Sequence, residues 1–260
     1  MIKRTLLSLL TALAMACAGP AAFDPSTVDD ATRAQIARVE PLCWWTGMKT
    51  PLQLMIYGPE IAKYEMTVEG APGVSVTAIH RAESPNYLFV DLNIRPDADP
   101  GTRYLVFSNG TESFKYAYEI AAREAGSAAR KSFTTEDMIY LIMPDRFANG
   151  DPTNDSTDDT AEKADREAPF GRHGGDIRGL IDHLDYISDL GATTVWCTPL
   201  LLDDEPRGSY HGYACADYYR IDPRFGDNAL YRDFVTKAHE KGLKVIMDMV
   251  SNHCGAAHWW

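Results

Sequence analysis

The second half of the chain alternates apolar runs with segments of helical periodicity, and this alternation limits its fold more than any other feature. Residues 138–143, 193–198 and 244–249 are apolar runs typical of strands buried on both faces. Residues 178–190 and 228–241 lie between them and repeat their apolar residues with a helical period. The order β-α-β-α-β predicts a parallel sheet.

Each of the two predicted helices carries one apolar face and ends before a glycine. Gly191 follows the first helix and Gly242 follows the second, as expected for C-terminal caps. The residues expected to face inward are Leu180, Leu184, Ile187 and Leu190 in the first helix, and Leu230, Phe234, Val235 and Ala238 in the second.

The predicted loops that follow strands are long. Residues 144–177 and 199–227 connect strands to helices, whereas ordinary connections have about 2–6 residues. Long insertions after strands are typical of a (β/α)8 TIM barrel whose C-terminal face carries the active site. A complete barrel takes roughly 250 residues. The predicted barrel begins near Thr135, so we expect about three βα units of a truncated barrel and a chain that belongs to a longer protein.

The first half of the chain has a period of two instead. Short runs rich in Tyr, Val, Ile and Phe are separated by Gly, Pro and Asn, which predicts an immunoglobulin-like β-sandwich. Asn109-Gly110 indicates a hairpin turn. The predicted strands are 52–57, 63–68, 87–94, 103–107 and 113–120. The predicted domains are a sandwich over 32–125, a linker over 126–134 and an incomplete catalytic TIM barrel over 135–260.

The N-terminus has the pattern of a secretion signal. Lys3 and Arg4 precede the short apolar run 6–16, and small residues follow. We expect a signal peptide over 1–18 and an exported, periplasmic protein. Lipidation at Cys17, which would anchor the chain to a bacterial outer membrane, stays an open alternative.

Charge and cysteine spacing exclude some functions. A net charge of −12 with a pI near 5.0 argues against nucleic-acid binding, which needs a basic surface. The cysteines after the predicted signal peptide lack the CxxC spacing of zinc sites; they are Cys43, Cys197, Cys215 and Cys254. We expect Cys197 to be a small buried hydrophobic residue. A bridge between Cys215 and Cys254 stays open in an oxidising compartment.

The first long loop is dense in oxygen-bearing residues. Four such residues lie close together in this loop: Asn149, Asp151, Asn154 and Asp155. They offer carboxylate and amide oxygens, which Ca²⁺ prefers as ligands. The same residue types are also the commonest in solvated turns, so composition alone favours a turn. An EF-hand does not fit, because Ser156 replaces its required glycine.

Three further segments bear polar or aromatic groups near predicted strand ends. Asp176, after Gly174 and Gly175, is a candidate cap of the first helix or a ligand. Tyr213 lies between small residues in the second long loop and offers an aromatic face to a sugar. The third segment ends the last predicted strand, and its candidate site residues are Asp248, Asn252 and His253.

Taken in order and spacing, these segments resemble the α-amylase family, glycoside hydrolase family 13. The matching segments are 138–155, 174–176, 191–199, 210–226 and 248–253. The chain is most similar to the neopullulanase, cyclomaltodextrinase and maltogenic amylase branch, whose N-terminal domain resembles the segment that begins at Pro41. The resemblance extends over about 34–260.

The resemblance implies a role for each matching residue. Tyr213 is expected to stack under the sugar at the cleavage point, and His253 to bond that sugar's primary hydroxyl. Asp248 is expected to be a buried carboxylate that orients catalytic groups, with Asn252 as structural support. The metal ligands implied for a structural Ca²⁺ are Asn149, Asp151, Asn154, Asp155, Gly174 through its carbonyl, and Asp176.

The resemblance also implies which chemistry lies outside this chain. The family's nucleophilic Asp, acid/base Glu and stabilising Asp follow barrel strands four, five and seven, beyond residue 260. We therefore expect no catalytic residue here and an inactive chain. The whole protein is expected to be a retaining hydrolase of α-1,4 bonds in maltodextrin, cyclodextrin or pullulan.

The alternative function is a non-catalytic module that binds α-glucan oligosaccharides or forms a homodimer through the N-terminal domain. Trp44 and Trp45 are candidates for a sugar platform, although paired tryptophans in a sandwich usually belong to the core. A dinucleotide-dependent dehydrogenase is disfavoured, because no G-x-G-x-x-G follows a predicted strand.

Overall fold

The computed structural model describes residues 30–260, which form two compact units with their boundary between Arg130 and Lys131. That boundary falls within the predicted linker. The predicted signal peptide over 1–18 and the lipidation candidate Cys17 lie outside the described residues. Within residues 30–260, every helix is too short or too polar to cross a bilayer.

The first unit is a β-sandwich of two four-stranded sheets, ordered β1-β3-β6-β5 and β2-β8-β7-β4. All neighbouring strands are antiparallel except β2 and β8, which are parallel. Its elements are α1 (Asp30–Gln35), β1 (Arg38–Glu40), β2 (Cys43–Trp45), β3 (Leu52–Tyr57), a 3₁₀ turn (Ile61–Lys63), β4 (Glu65–Gly70), β5 (Val74–Arg81), β6 (Tyr87–Ile94), β7 (Gly101–Ser108), β8 (Ser113–Ala121) and a 3₁₀ turn (Ser127–Ala129).

Alternating side chains from both sheets build the sandwich core. In β3, Leu54 and Ile56 are fully buried while Gln53 is exposed, as the period of two predicts. The five predicted strands are confirmed, and the hairpin at Asn109 joins β7 to β8. Sequence patterns missed β1, β2 and β5. The first two have three residues each, and β5 is an edge strand whose side chains are mostly half-buried or exposed.

The second unit is built on a three-stranded parallel sheet ordered β13-β10-β9. This is the predicted β-α-β-α-β order, and it forms the first three strands of a barrel. Its elements are β9 (Ile139–Ile142), α2 (Pro144–Phe147), α3 (Ile177–Asp182), α4 (Leu184–Asp189), β10 (Thr194–Cys197), β11 (Leu201–Asp203), a 3₁₀ turn (Ser209–His211), β12 (Cys215–Ile221), α5 (Asn228–Glu240) and β13 (Lys244–Met247).

Three predictions about this unit were wrong in detail. The first helix is split at His183, whose ring nitrogen donates to the carbonyl of Gly179 at 2.8 Å. Leu190 is 47% exposed because it lies past the end of α4, after the break has changed the phase of the apolar face. Leu141 is 53% exposed because the described helices pack on the opposite face of β9, against Ile142. Strand β9 is therefore buried on one face only.

The loop after β10 contains regular structure that its sequence did not reveal. Strands β11 and β12 pair antiparallel with an irregular register. Cys197 in β10 is buried as predicted, and burial raises the pKa of its thiol to about 12. Cys215 and Cys254 are both free thiols, so the bridge that the sequence left open is not formed in this structure.

Candidate functional site

The carboxyl ends of three parallel strands place the predicted site residues at one edge of the sheet. The 144–176 loop follows β9, the 198–227 loop follows β10, and Asp248 follows β13 directly. Parallel strands direct the segments that follow them to the same edge, so residues distant in sequence become neighbours.

Tyr213 and Asp248 meet at this edge. The Tyr213 hydroxyl donates to Asp248 Oδ2 at 3.3 Å, and Trp196 Nε1 donates to the same oxygen at 3.1 Å. Burial and the adjacent carboxylate raise the pKa of Tyr213. Asp248 was expected to be buried, but it is half-buried, because the described residues cover only part of this edge. Tyr213 is 39% exposed.

His253 joins this pair through the main chain. Its Nε2 donates to the carbonyl of Tyr213 at 2.9 Å, and its Nδ1 accepts from Asn252 Nδ2 at 3.3 Å. These partners fit the imidazole tautomer that carries its proton on Nε2. The Tyr218 hydroxyl lies 2.9 Å from the carbonyl oxygens of Val250 and His253 and holds this segment in place.

The predicted metal ligands of the first loop also converge. Asn149 Nδ2 donates to Asp155 Oδ1 at 2.7 Å. The Oδ1 atoms of Asn149 and Asn154 are buried, and neither has a hydrogen-bond partner among the described residues. Buried amide oxygens without donors are costly. Both oxygens are ligands of the kind that Ca²⁺ takes, so the residues fit this ion.

Gly174 belongs to the same cluster, because the absence of a side chain lets its backbone lie close to the other members. Its φ is +85°, a conformation that favours glycine. A Cβ at this position would lie 2.6 Å from Asp155 Oδ1 and 2.8 Å from Asn149 Nδ2. Only glycine therefore brings the backbone this close to both side chains.

Asp176 is fully buried and caps α3. Its carboxylate accepts the Gly179 N–H at 2.6 Å, the Gly150 N–H at 3.1 Å and the Asp151 N–H at 2.8 Å. The cap interpretation is confirmed. The Thr153 hydroxyl donates to Asp151 Oδ1 at 2.5 Å, and this bond is the main cause that lowers the pKa of Asp151.

The predicted metal set depends on amide and carbonyl oxygens as well as on carboxylates. Within residues 30–260, His, Cys, Asp and Glu side chains form no group of three or more that would hold a metal ion by themselves. The two unpartnered Asn oxygens are therefore the observation on which the prediction of Ca²⁺ depends.

A buried network of charges beneath the loops was not predicted. Arg224 donates to both carboxylate oxygens of Asp222, at 2.9 and 2.8 Å, and Arg172 Nη1 lies 3.5 Å from Asp222. Burial lowers the pKa of Arg172 to about 10. Asp145 accepts the main-chain N–H of His173 at 2.9 Å. The one signal in the sequence was an Asp and an Arg two residues apart between apolar neighbours.

Two family models match the chain, one in each unit. Residues 38–124 match the model described as the N-terminal domain of cyclomaltodextrinase. Residues 141–260 match the model described as the catalytic domain of alpha amylase. The second match contains every predicted site residue.

Several curated relatives are similar to part of the chain. A cyclomaltodextrinase of Thermoanaerobacter pseudethanolicus is 44% identical over 125 residues, which are 47% of this chain and 21% of the relative. Neopullulanase 2 of Thermoactinomyces vulgaris is 41% identical over 144 residues, which are 55% of this chain and 23% of the relative. A periplasmic alpha-amylase of Escherichia coli K12 is 36% identical over 131 residues, or 46% and 19% of the two chains.

The chain thus spans less than a quarter of the length of these relatives. Its sandwich matches one family domain, and its parallel sheet with the strand-end cluster matches the other. The chain therefore belongs to the α-amylase family, glycoside hydrolase family 13, in the branch with a cyclomaltodextrinase-type N-terminal domain.

Proposed function

We propose that the protein containing these residues is a retaining glycoside hydrolase of α-1,4-linked glucans such as maltodextrin, cyclodextrin or pullulan. The observation that carries this proposal is the exposed Tyr213 ring, held by Asp248 and His253 at the carboxyl edge of the sheet. The names of the relatives, cyclomaltodextrinase and neopullulanase, support the same substrate class.

In this proposal the three side chains bind and orient one sugar. The Tyr213 ring packs against the apolar C–H face of the sugar. His253 Nε2 donates to the Tyr213 carbonyl, which holds the imidazole beside the tyrosine, where it would meet the primary hydroxyl of that sugar. Asp248 keeps an acceptor oxygen beside the tyrosine hydroxyl and orients groups around it.

We propose further that residues 1–260 do not hydrolyse glucans by themselves. Retaining glycosidases need a nucleophile and an acid/base whose carboxyl groups are about 5–5.5 Å apart. In this cluster Asp248 is the carboxylate that faces Tyr213, and its role is to orient. Detectable release of reducing sugar from maltoheptaose by the purified 260-residue chain would overturn this part of the proposal.

The binding role of Tyr213 is tested in the complete protein. Tyr213→Ala is expected to lower kcat/KM for maltoheptaose, β-cyclodextrin and pullulan by about 100-fold, as for loss of a central aromatic contact. Tyr219→Ala is the matched control, because Tyr219 is 38% exposed on the same loop. Equal losses in the two variants would contradict the proposed site.

We propose a structural Ca²⁺ ion in the first loop. Six residues would hold the ion. The central ligands would be Asn149, Asn154, Asp155 and the carbonyl of Gly174, and the set would be completed by Asp151 and Asp176. The ion would neutralise the carboxylates and tie the loop to the turn at Gly174. The support is the pair of buried, unpartnered amide oxygens.

Calcium binding is testable without any activity measurement. Addition of Ca²⁺ to chelator-treated 260-residue chain should raise its unfolding temperature, and Asn154→Ala should abolish this rise. Asp158→Ala is the control on the same loop, since Asp158 is exposed. An unfolding temperature that does not respond to Ca²⁺ would refute the site.

A second candidate function is glucan binding by the first unit. A cavity of about 310 Å³ is lined by Trp44, Lys49, Thr77 and Asn93, and its volume is near the lower limit for small-molecule sites. Trp44 packs partly against the core, whereas Trp45 is 37% exposed. Saturable binding of maltoheptaose to the 260-residue chain that Trp44→Ala removes and Tyr213→Ala does not would establish this function.

Export and self-association complete the proposal. The basic and apolar N-terminal pattern supports export, and one relative is a periplasmic enzyme while others are intracellular. Fractionation of the native host would decide the compartment.

A homodimer through the first unit predicts twice the monomer mass in light scattering, and a monomer at high concentration would exclude it.

A further inference from the structure

The turn that carries Tyr213 is fixed on both of its main-chain polar groups. The Tyr213 N–H donates to His211 Nδ1 at 3.0 Å, and the Tyr213 carbonyl accepts from His253. Burial lowers the pKa of His211, so its neutral Nδ1 is free to accept. Gly212 has a φ of +78°, and a Cβ there would lie 2.0 Å from the Pro199 carbonyl oxygen. The tyrosine therefore has a fixed backbone.

Asp203 holds the next peptide group of this turn. Its carboxylate accepts the Ala214 N–H at 3.0 Å and the Glu205 N–H at 3.2 Å. Asp203 is fully buried at the end of β11. Its own carbonyl accepts from Arg224 Nη2 at 2.5 Å, which ties the turn to the buried charge network.

The charged carboxylate of Asp203 lowers the stability of the folded state at this buried position. Its nearest cationic candidate is His211, whose Nδ1 lies 3.8 Å away and already accepts a hydrogen bond from the Tyr213 N–H, so this nitrogen carries no proton. Among residues 30–260, no Lys or Arg nitrogen lies within 4.0 Å of that carboxylate. A buried carboxylate without a cation costs stability. What the carboxylate contributes in return is the fixed position of the two N–H groups that it binds.

We propose that Asp203 is a positioning residue that sets the orientation of the Tyr213 ring toward a bound glucan. Asp203 fixes the N–H after the tyrosine, and His211 fixes the N–H of the tyrosine itself. This inference rests on the proposed hydrolysis and deepens it, because it assigns the geometry of the aromatic contact to a residue that does not touch the sugar.

The first test is a double-mutant cycle in the complete protein. Asp203→Asn should lower kcat/KM for maltoheptaose about tenfold, and the same substitution should have almost no effect in a Tyr213→Ala background. Asp204→Asn is the matched control. Asp204 is the next residue and also accepts a main-chain N–H, but from Ala161 in another loop. Additive effects of Asp203→Asn and Tyr213→Ala would overturn the inference.

The second test does not depend on activity. Amide hydrogen exchange in residues 209–216 should rise about tenfold in Asp203→Asn, while exchange in α5 stays unchanged and Asp204→Asn behaves as the wild type. Unchanged exchange in 209–216 would refute the positioning role. A complete protein that does not hydrolyse glucans would refute the proposed function, and the exchange result would still decide the role of Asp203.

Discussion

The two units differ in how their buried polar groups find hydrogen-bond partners. In the sandwich, regular strand pairing satisfies the backbone, and Thr32 and Arg103 are the buried polar side chains that its described residues contain. The second unit buries Asp145, Arg172, Asp176, Asp203, Asp222 and Arg224 beneath its long loops. Loops lack the ladder of a sheet, so buried side chains must bond their N–H and C=O groups instead. A loop-rich site therefore depends on charge pairs where a sandwich depends on apolar packing.

The largest expected effect comes from removal of one partner of the buried charge pair. Arg224→Ala leaves the Asp222 carboxylate buried without its bidentate partner, which costs about 3–5 kcal/mol. We expect the second unit to lose hydrogen-exchange protection while the sandwich keeps it. Loss of protection in both units to the same extent would show that the contrast between them is false.

A core truncation in the sandwich should have the opposite regional effect. Leu54 is fully buried in β3, and Leu54→Ala should cost about 3 kcal/mol through lost transfer energy and the cavity. Hydrogen exchange should accelerate in β3 and β6 and stay unchanged in α5. Gln53→Ala, at the exposed neighbouring position, is the control and should change the free energy of unfolding by less than about 0.5 kcal/mol.

The dependence of stability on pH should also differ between the units. Burial, assisted by the nearby charge of Asp222, raises the pKa of Asp203 to about 6. A carboxyl with a raised pKa in the folded state stabilises the protein fully below its unfolded pKa, and this stabilisation is lost as the pH rises toward and past 6. The loss between about pH 4 and pH 7 should reach up to about 3 kcal/mol in the second unit.

This pH dependence is measured by chemical denaturation across that range. Asp203→Asn removes the titrating group, so the variant should lack this part of the pH dependence. An equal slope in the wild type and the variant would assign the titration to another carboxyl.

The smallest expected effect concerns a surface ion pair of the sandwich. Lys115 and Glu69 lie 2.5 Å apart, but each side chain is about half exposed. Lys115→Ala should therefore change the free energy of unfolding by less than about 1 kcal/mol, and less at high salt. A loss comparable to that of Arg224→Ala would mean that exposed and buried charge pairs contribute alike.

Much of the site followed from local sequence patterns. The apolar run of β13 places Asp248 at the strand end, and the spacing to His253 places both at the same edge of the sheet. These features depend on neighbours in the chain, so periodicity and turn chemistry were sufficient to predict them.

The remaining features depend on residues far apart in the chain. The exposure of Leu141 results from how the elements pack, and it does not change the local periodicity. Arg224 reaches the carbonyl of Glu162 across 62 positions of sequence, and no local pattern encodes such a partner.

The sequence by itself determined the two kinds of unit, the parallel strand order and the edge at which the site residues gather. Tertiary structure alone decided which carboxylate holds which N–H, and thus how Asp203 fixes the turn at Tyr213. The physical reason is that periodicity specifies which face of an element is buried, whereas a buried charge must find its particular partner once the loops are packed.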